Sequence, residues 1–435
     1  MTDFKVINNA TTLVNDDLIF DPWIYGCVYY GTWRPYNDIT FDKNKLKNVK
    51  YCCISHVHSD HWDLETIKYF NKDVIFYLPK ISFNKVIELG LNKIGFHKIK
   101  YIEFNKFFEI NDNYSIAAIP PLNRYAQETE FIDEKDDNAI AVDSGFILNI
   151  KSDDSNHLLL CDNTPYDNEI FKKNFKDIKI DSIFFPYNGF ADDYPLCYDN
   201  FDHETKSKIS YERSIKREEA LLDFIKYIKP KHLIPYSSDF MLNGKRRNEF
   251  FKIHSIDFLD KEKYSNRIER LTNIKSSALF DNNVLSFNNN QFSVSTNKNL
   301  NNKPTTSDGP IKSFDVDLHK NITLLSQESL INYIERIKKY NFNMNKINEW
   351  LLNIELTDTN EEVQFNFEEM KVYENFKKNK DKKVLILKTH RNTFQSILER
   401  KMHINNCIIG CLLSWERTPN IYSKDLHGSL SFLHL

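Results

Sequence analysis

Residues 54–63 read Ile-Ser-His-Val-His-Ser-Asp-His-Trp-Asp, which sets His56, His58, Asp60 and His61 within six positions at the end of an apolar run. Imidazole and carboxylate are ligand types that hold zinc, iron or manganese. A tight turn after a strand can aim one such group at one ion and the next at a second. His56 and His58 fall on one side of an extended segment, as a period of two requires. Asp60 and His61 come round with the turn into a helix that Leu64, Ile67 and Phe70 suggest. Four polar residues in a solvated loop are the alternative, but three histidines and an aspartate at this spacing are rare by composition, and the run before them is strand-like.

A chain of 435 residues is too long for one ordinary core, so two domains are expected. The hydrophobic fraction of 41% and the aromatic fraction of 14% suffice to bury a large core, and the formal charge of −3 is nearly balanced. Lysines are interleaved with Asp and Glu throughout, with no basic stripe to track phosphates, so nucleic acid is not an expected partner. The start, Met-Thr-Asp-Phe-Lys, is polar, and no apolar stretch is long enough to span a bilayer, so neither export nor membrane insertion is expected. Seven scattered cysteines fit reduced thiols in a cytoplasm. No Cys-x-x-Cys or Cys-x-His pattern occurs, which excludes the usual zinc ribbons.

Short apolar runs alternate with amphipathic stretches over the first 280 residues. Strands are predicted at 18–20, 51–54, 74–78, 99–104, 116–119, 140–142, 146–150, 158–160, 183–185 and 232–235. The clearest helix is predicted over 213–228, where Ile215, Leu221, Leu222, Phe224, Ile225 and Ile228 make an apolar face that Pro230 stops. Strand pairs followed by helices suggest an α/β fold with a sheet-on-sheet core and helices outside. From 282 the chain fills with Asn, Ser, Thr and Lys and reads as a linker to 312. The expected division is thus 1–281, a linker at 282–312, and a smaller C-terminal α+β domain at 313–435. In that last part helices are predicted at 328–340, 344–352 and 392–401, strands at 363–367 and 384–387, and a tail of strand plus strand or helix.

His56-x-His58-x-Asp60-His61 after a strand resembles the signature of the metallo-β-lactamase superfamily, which implies an αββα sandwich with a metal site at one edge. More narrowly, Asp21-Pro22-Trp23-Ile24-Tyr25-Gly26, Ile54 to His61 and Ile234-Pro235-Tyr236-Ser237-Ser238-Asp239-Phe240 resemble the hydrolase-like domain of CMP-N-acetylneuraminate hydroxylases. That similarity spans residues 16 to 244, with a looser echo in 404–435. The resemblance implies that His56 and His58 hold a first ion, Asp60 and His61 a second, and that Asp162 bridges them. Asp162 follows a strand-like run and offers two oxygens; a turn aspartate before Asn163 is the alternative.

One implied ligand is missing. Where the family places a third histidine for the first ion, the register puts Asp133, with Glu134 beside it. A carboxylate there tilts binding toward harder metals such as iron or manganese, whereas a plain acidic surface loop would leave that ion weak. Tyr236 stands where related hydrolases carry a late histidine, as the hydroxylase-like group also shows an aromatic. Tyr236 and Asp239, with Tyr187 and Asn188 in the run 186–194, are candidate substrate-binding residues, rich in groups that bind sugar hydroxyls. Asp21 reads as an orienter of the histidines, and His203, between Asp202 and Glu204, as an exposed residue.

Three functional readings follow. The first is a hydrolase using one or two divalent ions, zinc or iron with manganese as a further option, on a polar, sugar or nucleotide-sugar small molecule, with Asp60 or Asp162 taking the proton. The second is an oxygenase component acting on a sialic-acid-like sugar. The hydroxylases carry a Rieske domain with paired Cys-x-His and Cys-x-x-His elements. Here only Cys53 to His56 fits, inside the metal cassette, so that reading needs a separate electron-transfer partner or a diiron centre. The third is a non-catalytic binding protein on a degenerate metal site. The oligomeric state is left open.

Overall fold

The computed structural model describes residues 1–121, 142–164, 166–187, 193–244, 246–281, 283–296, 327–340, 342–376 and 381–433. Two sheets form the body. The first runs, in spatial order, Gln291–Thr296, Asn283–Asn288, Thr2–Asn8, Thr11–Val14, Leu18–Phe20, Tyr51–Cys53, Ile75–Pro79 and Ile99–Ile102. The second runs His232–Tyr236, Ser182–Pro186, Ser155–Leu159, Gly145–Ile150, Tyr114–Ile119 and Phe107–Glu109. Each is antiparallel on one side and parallel on the other.

Period-two alternation assembles the layers. In the second sheet Ile116, Ala118, Phe146, Leu148, Leu159, Phe184 and Ile234 meet Phe4, Val6, Leu18, Phe20 and Tyr77 of the first. Their chain neighbours Ala117, Ile147, Leu158, Ile183, Phe185 and Leu233 pack outward against helical Phe171, Leu221, Phe224 and Ile268. On the far side Ile19, Cys52, Phe76 and Leu78 pack against Ile67, Ile87 and Leu91. Burying each such side chain is worth about 1.5–3 kcal/mol, and a one-residue slip would exchange the two faces, so the register is firmly set. The arrangement is the expected αββα sandwich.

The long helix begins earlier than its apolar stripe, at His203–Ile228, because Asp202 caps it by accepting from Thr205 N at 2.8 Å. His203, in its first turn, is exposed as expected. Of the run 140–142, residues 140 and 141 lie outside the described residues, and Val142 is not in a strand.

The stretch read as a linker from residue 282 opens instead with a hairpin. Asn283–Asn288 pairs with Thr2–Phe4 on one side and with Gln291–Thr296 on the other, and Leu285 and Phe287 are buried in the inter-sheet core. Polar residues on its open face hid the strands. Residues 297–326 lie outside the described residues.

The C-terminal part holds a five-stranded sheet in the order Lys371–Tyr373, Glu361–Asn366, Trp350–Leu356, Lys383–Thr389 and Ser414–Thr418. Helices Gln327–Lys339, Arg391–Leu398, Ile404–Ile409 and Lys424–Ser429 accompany it. The helix predicted over 344–352 stops at Ile347, and Trp350–Leu356 is a strand paired in parallel with Lys383–Thr389. A short apolar run is ambiguous between buried strand and helix, and pairing decided it.

This sheet shares a core with the N-terminal part: Trp350, Leu385, Trp415 and Cys407 pack in one cluster with Tyr29, Trp33, Phe240 and Phe250. Trp33 and Phe240 come from a two-stranded ribbon, Trp33–Pro35 with Phe240–Leu242, and their rings stack 3.6 Å apart. Backbone bonds also cross, from Trp415 N to Cys197 O at 2.8 Å and from Asp199 N to Trp415 O at 2.7 Å. No helix among the described residues is long and apolar enough to cross a membrane.

Candidate metal centre

Strand direction gathers the site. Asn9, Asp21, the 54–61 loop, Asp162 and Ser237 each follow the carboxyl end of a strand, and parallel neighbours bring those ends to one edge. The Gly145–Ile150 strand runs the other way, with Phe146 opposite Leu159, so the residues just before it, Asp143 and Ser144, reach the same edge. Asn9, Asp21, Tyr29, Asp162 and Ser237 all adopt positive φ, from 44° to 55°. Asn and Asp tolerate this backbone, whereas Tyr and Ser sit there at a cost of about 1–2 kcal/mol each, and such outliers cluster at functional sites.

Around His56 Nε2 lie His58 Nδ1 at 2.9 Å, Asp143 Oδ1 at 3.3 Å and Asp162 Oδ2 at 3.4 Å. His58 Nδ1 is 3.5 Å from the same Asp143 oxygen. Around His61 Nε2 lie Asp162 Oδ2 at 2.8 Å and Asp60 Oδ2 at 3.3 Å. Ligand atoms about 2.1 Å from one ion stand about 3.0–3.4 Å apart in octahedral or tetrahedral geometry, which is the spacing found here. The residues fit a metal pair: His56, His58, Asp143 and Asp162 form one donor group, Asp60, His61 and Asp162 another, and Asp162 Oδ2 belongs to both. Asp143 Oδ1 is buried and accepts no hydrogen bond among the described residues, a vacant lone pair aimed at the histidines.

A surrounding set of bonds fixes these groups. Asp21 accepts from Ser55 N at 2.7 Å with one oxygen and stands 3.2 Å from His61 Nδ1 with the other, contacts that can orient the imidazole. Ser55 Oγ lies 2.9 Å from His56 Nδ1. Asp60 is held at both oxygens, by Asn9 Nδ2 at 2.9 Å and by the Tyr29 hydroxyl. Ser237 Oγ donates to Asp162 Oδ1 at 3.0 Å.

The field of the cluster favours cations. Burial and His61 oppose a charge on His56, yet Asp143 and Asp162 raise its pKa to about 10. Burial opposes a charge on His61 too, but Asp162, Asp60 and Asp21 lift it well above 6.5. Burial and His56 together push His58 below 6.5. Against burial, His61 and His56 hold the Asp162 carboxyl well below the usual range, and His61 and Tyr29 keep that of Asp60 low. Protons on imidazoles answer this negative field in the metal-free chain, and a bound ion displaces them.

His56, His58, Asp60, His61 and Asp162, named from the sequence, lie together at this edge. Asp133 and Asn188 lie outside the described residues. Tyr187 and Asp239 do not face a cleft: the Tyr187 hydroxyl donates to Asp239 Oδ1 at 2.8 Å, Lys261 Nζ pairs with the other oxygen, and all three are buried. That closed ion pair corrects their assignment to substrate binding. Tyr236 is also buried, its ring against Phe184 between the sheets.

Asp143, Asn9, Tyr29 and Ser237 escaped the sequence reading. Only Asp143 had a local sign, an Asp-Ser-Gly turn before an apolar run.

Sandwich, edge cassette and converging donors define a protein of metallo-β-lactamase fold with a group of residues able to bind metal. No protein-family model matches the chain. A protein of Mycolicibacterium smegmatis (strain ATCC 700084 / mc(2)155) that bears the name of a Rieske 2Fe-2S iron-sulfur protein is 28% identical over 184 residues, 42% of this chain. The match covers 32% of that protein, so the chain spans about a third of the curated relative. Among solved structures, a possible metal-dependent hydrolase from Veillonella parvula DSM 2008 aligns over 66% of this chain and 100% of its own, with TM-score 0.44 and 15% identity. CmlA, a diiron β-hydroxylase from Streptomyces venezuelae, aligns over 64% of this chain and 53% of its own, with TM-score 0.41 and 12% identity.

Proposed function

We propose that the chain is a metal-dependent hydrolase with a dinuclear centre. His56, His58, Asp143 and Asp162 hold one ion, and Asp60, His61 and Asp162 hold the other. The observation that carries this is the ligand-like spacing of six side chains from three strand ends, with the buried Asp143 Oδ1 accepting no hydrogen bond among the described residues. When bound, the ions supply the Lewis acidity that makes water nucleophilic near neutral pH and offsets charge on the carbonyl or phosphoryl oxygen.

The chain's residues do the rest. Water adds to an ester, amide or phosphoester, the bond to the leaving group breaks, and the water's proton passes by way of a carboxylate to the leaving group. Asp162 suits that transfer better than Asp60, because its side chain keeps 22% of its surface open to the substrate side and that of Asp60 only 1%. Substrate enters by the side where His58 and Asp162 keep 17% and 22% of their side-chain surface. The resemblance to sugar-nucleotide hydroxylases favours a polar, sugar-like substrate.

A second reading, an oxygenase fed by a separate electron-transfer protein, is favoured by the carboxylate-rich donor set, which suits iron, and by the sequence likeness to a Rieske-named protein. Metal analysis of protein purified without added metal tests both readings, followed by assays on ester, amide and phosphodiester panels and by oxygen uptake with a reductant. Two ions and turnover without oxygen support the hydrolase. Iron with oxygen consumption overturns it for the oxygenase. A chain that takes up no divalent ion is a binding protein on a degenerate site.

A further inference from the structure

Asp60 is gripped from a loop that the C-terminal part holds in place. Both Asp60 oxygens accept hydrogen bonds, one from Asn9 Nδ2 and one from the Tyr29 hydroxyl, and Asp60 and Tyr29 are both buried. Tyr29 and Tyr30 are consecutive residues with φ of 48° and 61°, a backbone that neither favours intrinsically. Contacts must therefore impose it. Within the N-terminal part, Thr32 Oγ1 donates to Tyr29 O at 2.8 Å and Asn243 Nδ2 to Gly31 O at 3.0 Å.

Gly31 N donates to Val28 O at 3.0 Å and Asn243 N to Thr32 O at 2.7 Å, and further contacts come from the C-terminal part. His403 N donates to the Tyr30 hydroxyl at 2.7 Å, and Trp33 Nε1 donates to Ile409 O at 3.0 Å. Gly410, at the end of the Ile404–Ile409 helix, seats on the turn itself. A Cβ there would stand 2.6 Å from Thr32 Oγ1, 2.9 Å from Asn406 O and 3.1 Å from Tyr29 Cβ. The helix end is pressed against the Thr32 hydroxyl, with the Tyr29 Cβ beside it, so a side chain at 410 would have to displace the turn.

We propose that Tyr29 is a positioning residue for the Asp60–His61–Asp162 ion, and that the C-terminal part, through Gly410 and the Ile404–Ile409 helix, sets Tyr29 and so tunes that ion from outside the sandwich. This rests on the metal-centre reading. The Tyr29 hydroxyl bonds Asp60, which belongs to the second donor group only, and not His56, His58, Asp143 or the shared Asp162, so the effect falls chiefly on one ion of the two.

The test titrates cobalt(II) into the metal-free full chain and follows visible absorption and bound metal. Wild type is compared with Tyr29→Phe, Gly410→Ala and the double variant, each checked for folding by circular dichroism. Tyr29→Phe is expected to weaken one ion about 10–100-fold, the usual loss when a ligand's outer partner is removed, and to leave the other unchanged. Gly410→Ala should weaken the same ion, with the double variant no weaker than the worse single one, since both act through one hydrogen bond. If Gly410→Ala does not fold, Tyr30→Phe, which removes the acceptor for His403 N, takes its place.

Cobalt binding by Tyr29→Phe like that of wild type overturns the proposal, as does equal weakening of both ions by Gly410→Ala. In either case the metal centre stands. Wild type that binds no cobalt, zinc or iron refutes the metal centre and this inference with it.

Discussion

Asp143→Asn should separate the two ions. The change keeps shape and removes one negative charge from an oxygen that stands 3.3 Å from His56 Nε2 and 3.5 Å from His58 Nδ1. Unit charges about 4 Å apart interact by ~4 kcal/mol at the effective dielectric constant that suits protein sites. At about 1.4 kcal/mol per tenfold, one such unit-charge interaction is worth a factor near 10³. Three other ligands remain, and the amide oxygen is still an acceptor, so the expected loss is about 10²-fold for the ion held by His56 and His58. The Asp60–His61–Asp162 ion should change far less. In the metal-free variant the His56 pKa should fall from about 10, since Asp143 is the leading group that raises it. Competition with a chelator measures the first effect, and an NMR titration of the imidazole measures the second. Asp133→Ala is the contrast: if Asp143 is the ligand, it leaves metal content unchanged. Unaltered binding in Asp143→Asn together with loss in Asp133→Ala would refute the assignment and restore Asp133 to the first ion.

Lys261→Met should strand the buried Asp239 carboxylate and cost about 3–5 kcal/mol of stability in denaturant melts without changing metal content. Normal stability with altered substrate binding would return Asp239 to the cleft. Burial pushes His157 down to about 3. Below about pH 6.5 the unfolded chain therefore gains a proton that the folded chain refuses until about pH 3. Stability should fall by about 1.4 kcal/mol per pH unit across that window, and His157→Gln should remove that part of the slope; an unchanged slope refutes it. Limited proteolysis should cut first between 297 and 326, where the composition is polar, and spare the paired 283–296 hairpin. The fragments should stay together through the core that joins Trp33 and Phe240 to Trp350 and Trp415, and separation on gel filtration would contradict that packing.

What the sequence determined was local. Four candidate ligands sit within six residues, so their spacing alone pointed to a metal cassette, and apolar alternation marked most strands of the two sheets within three residues. The long helix was visible in its apolar stripe, though not in its polar first half, which a cap supports. Tertiary structure decided what local spacing cannot hold. Asp143 reaches His56 because its strand runs antiparallel to Ser155–Leu159, and strand direction is a property of pairing. Asn283–Thr296 became two strands because Thr2–Phe4 offered an edge, although its own composition reads as a connection. Tyr29 reaches Asp60 from a left-handed turn that its residue type disfavours, packed against a helix end whose Gly410 lies 381 positions further along the chain. Side-chain period and ligand spacing are written in neighbouring residues; direction, register and imposed backbone conformation arise only when distant segments pack, and the second half of this site depends on them.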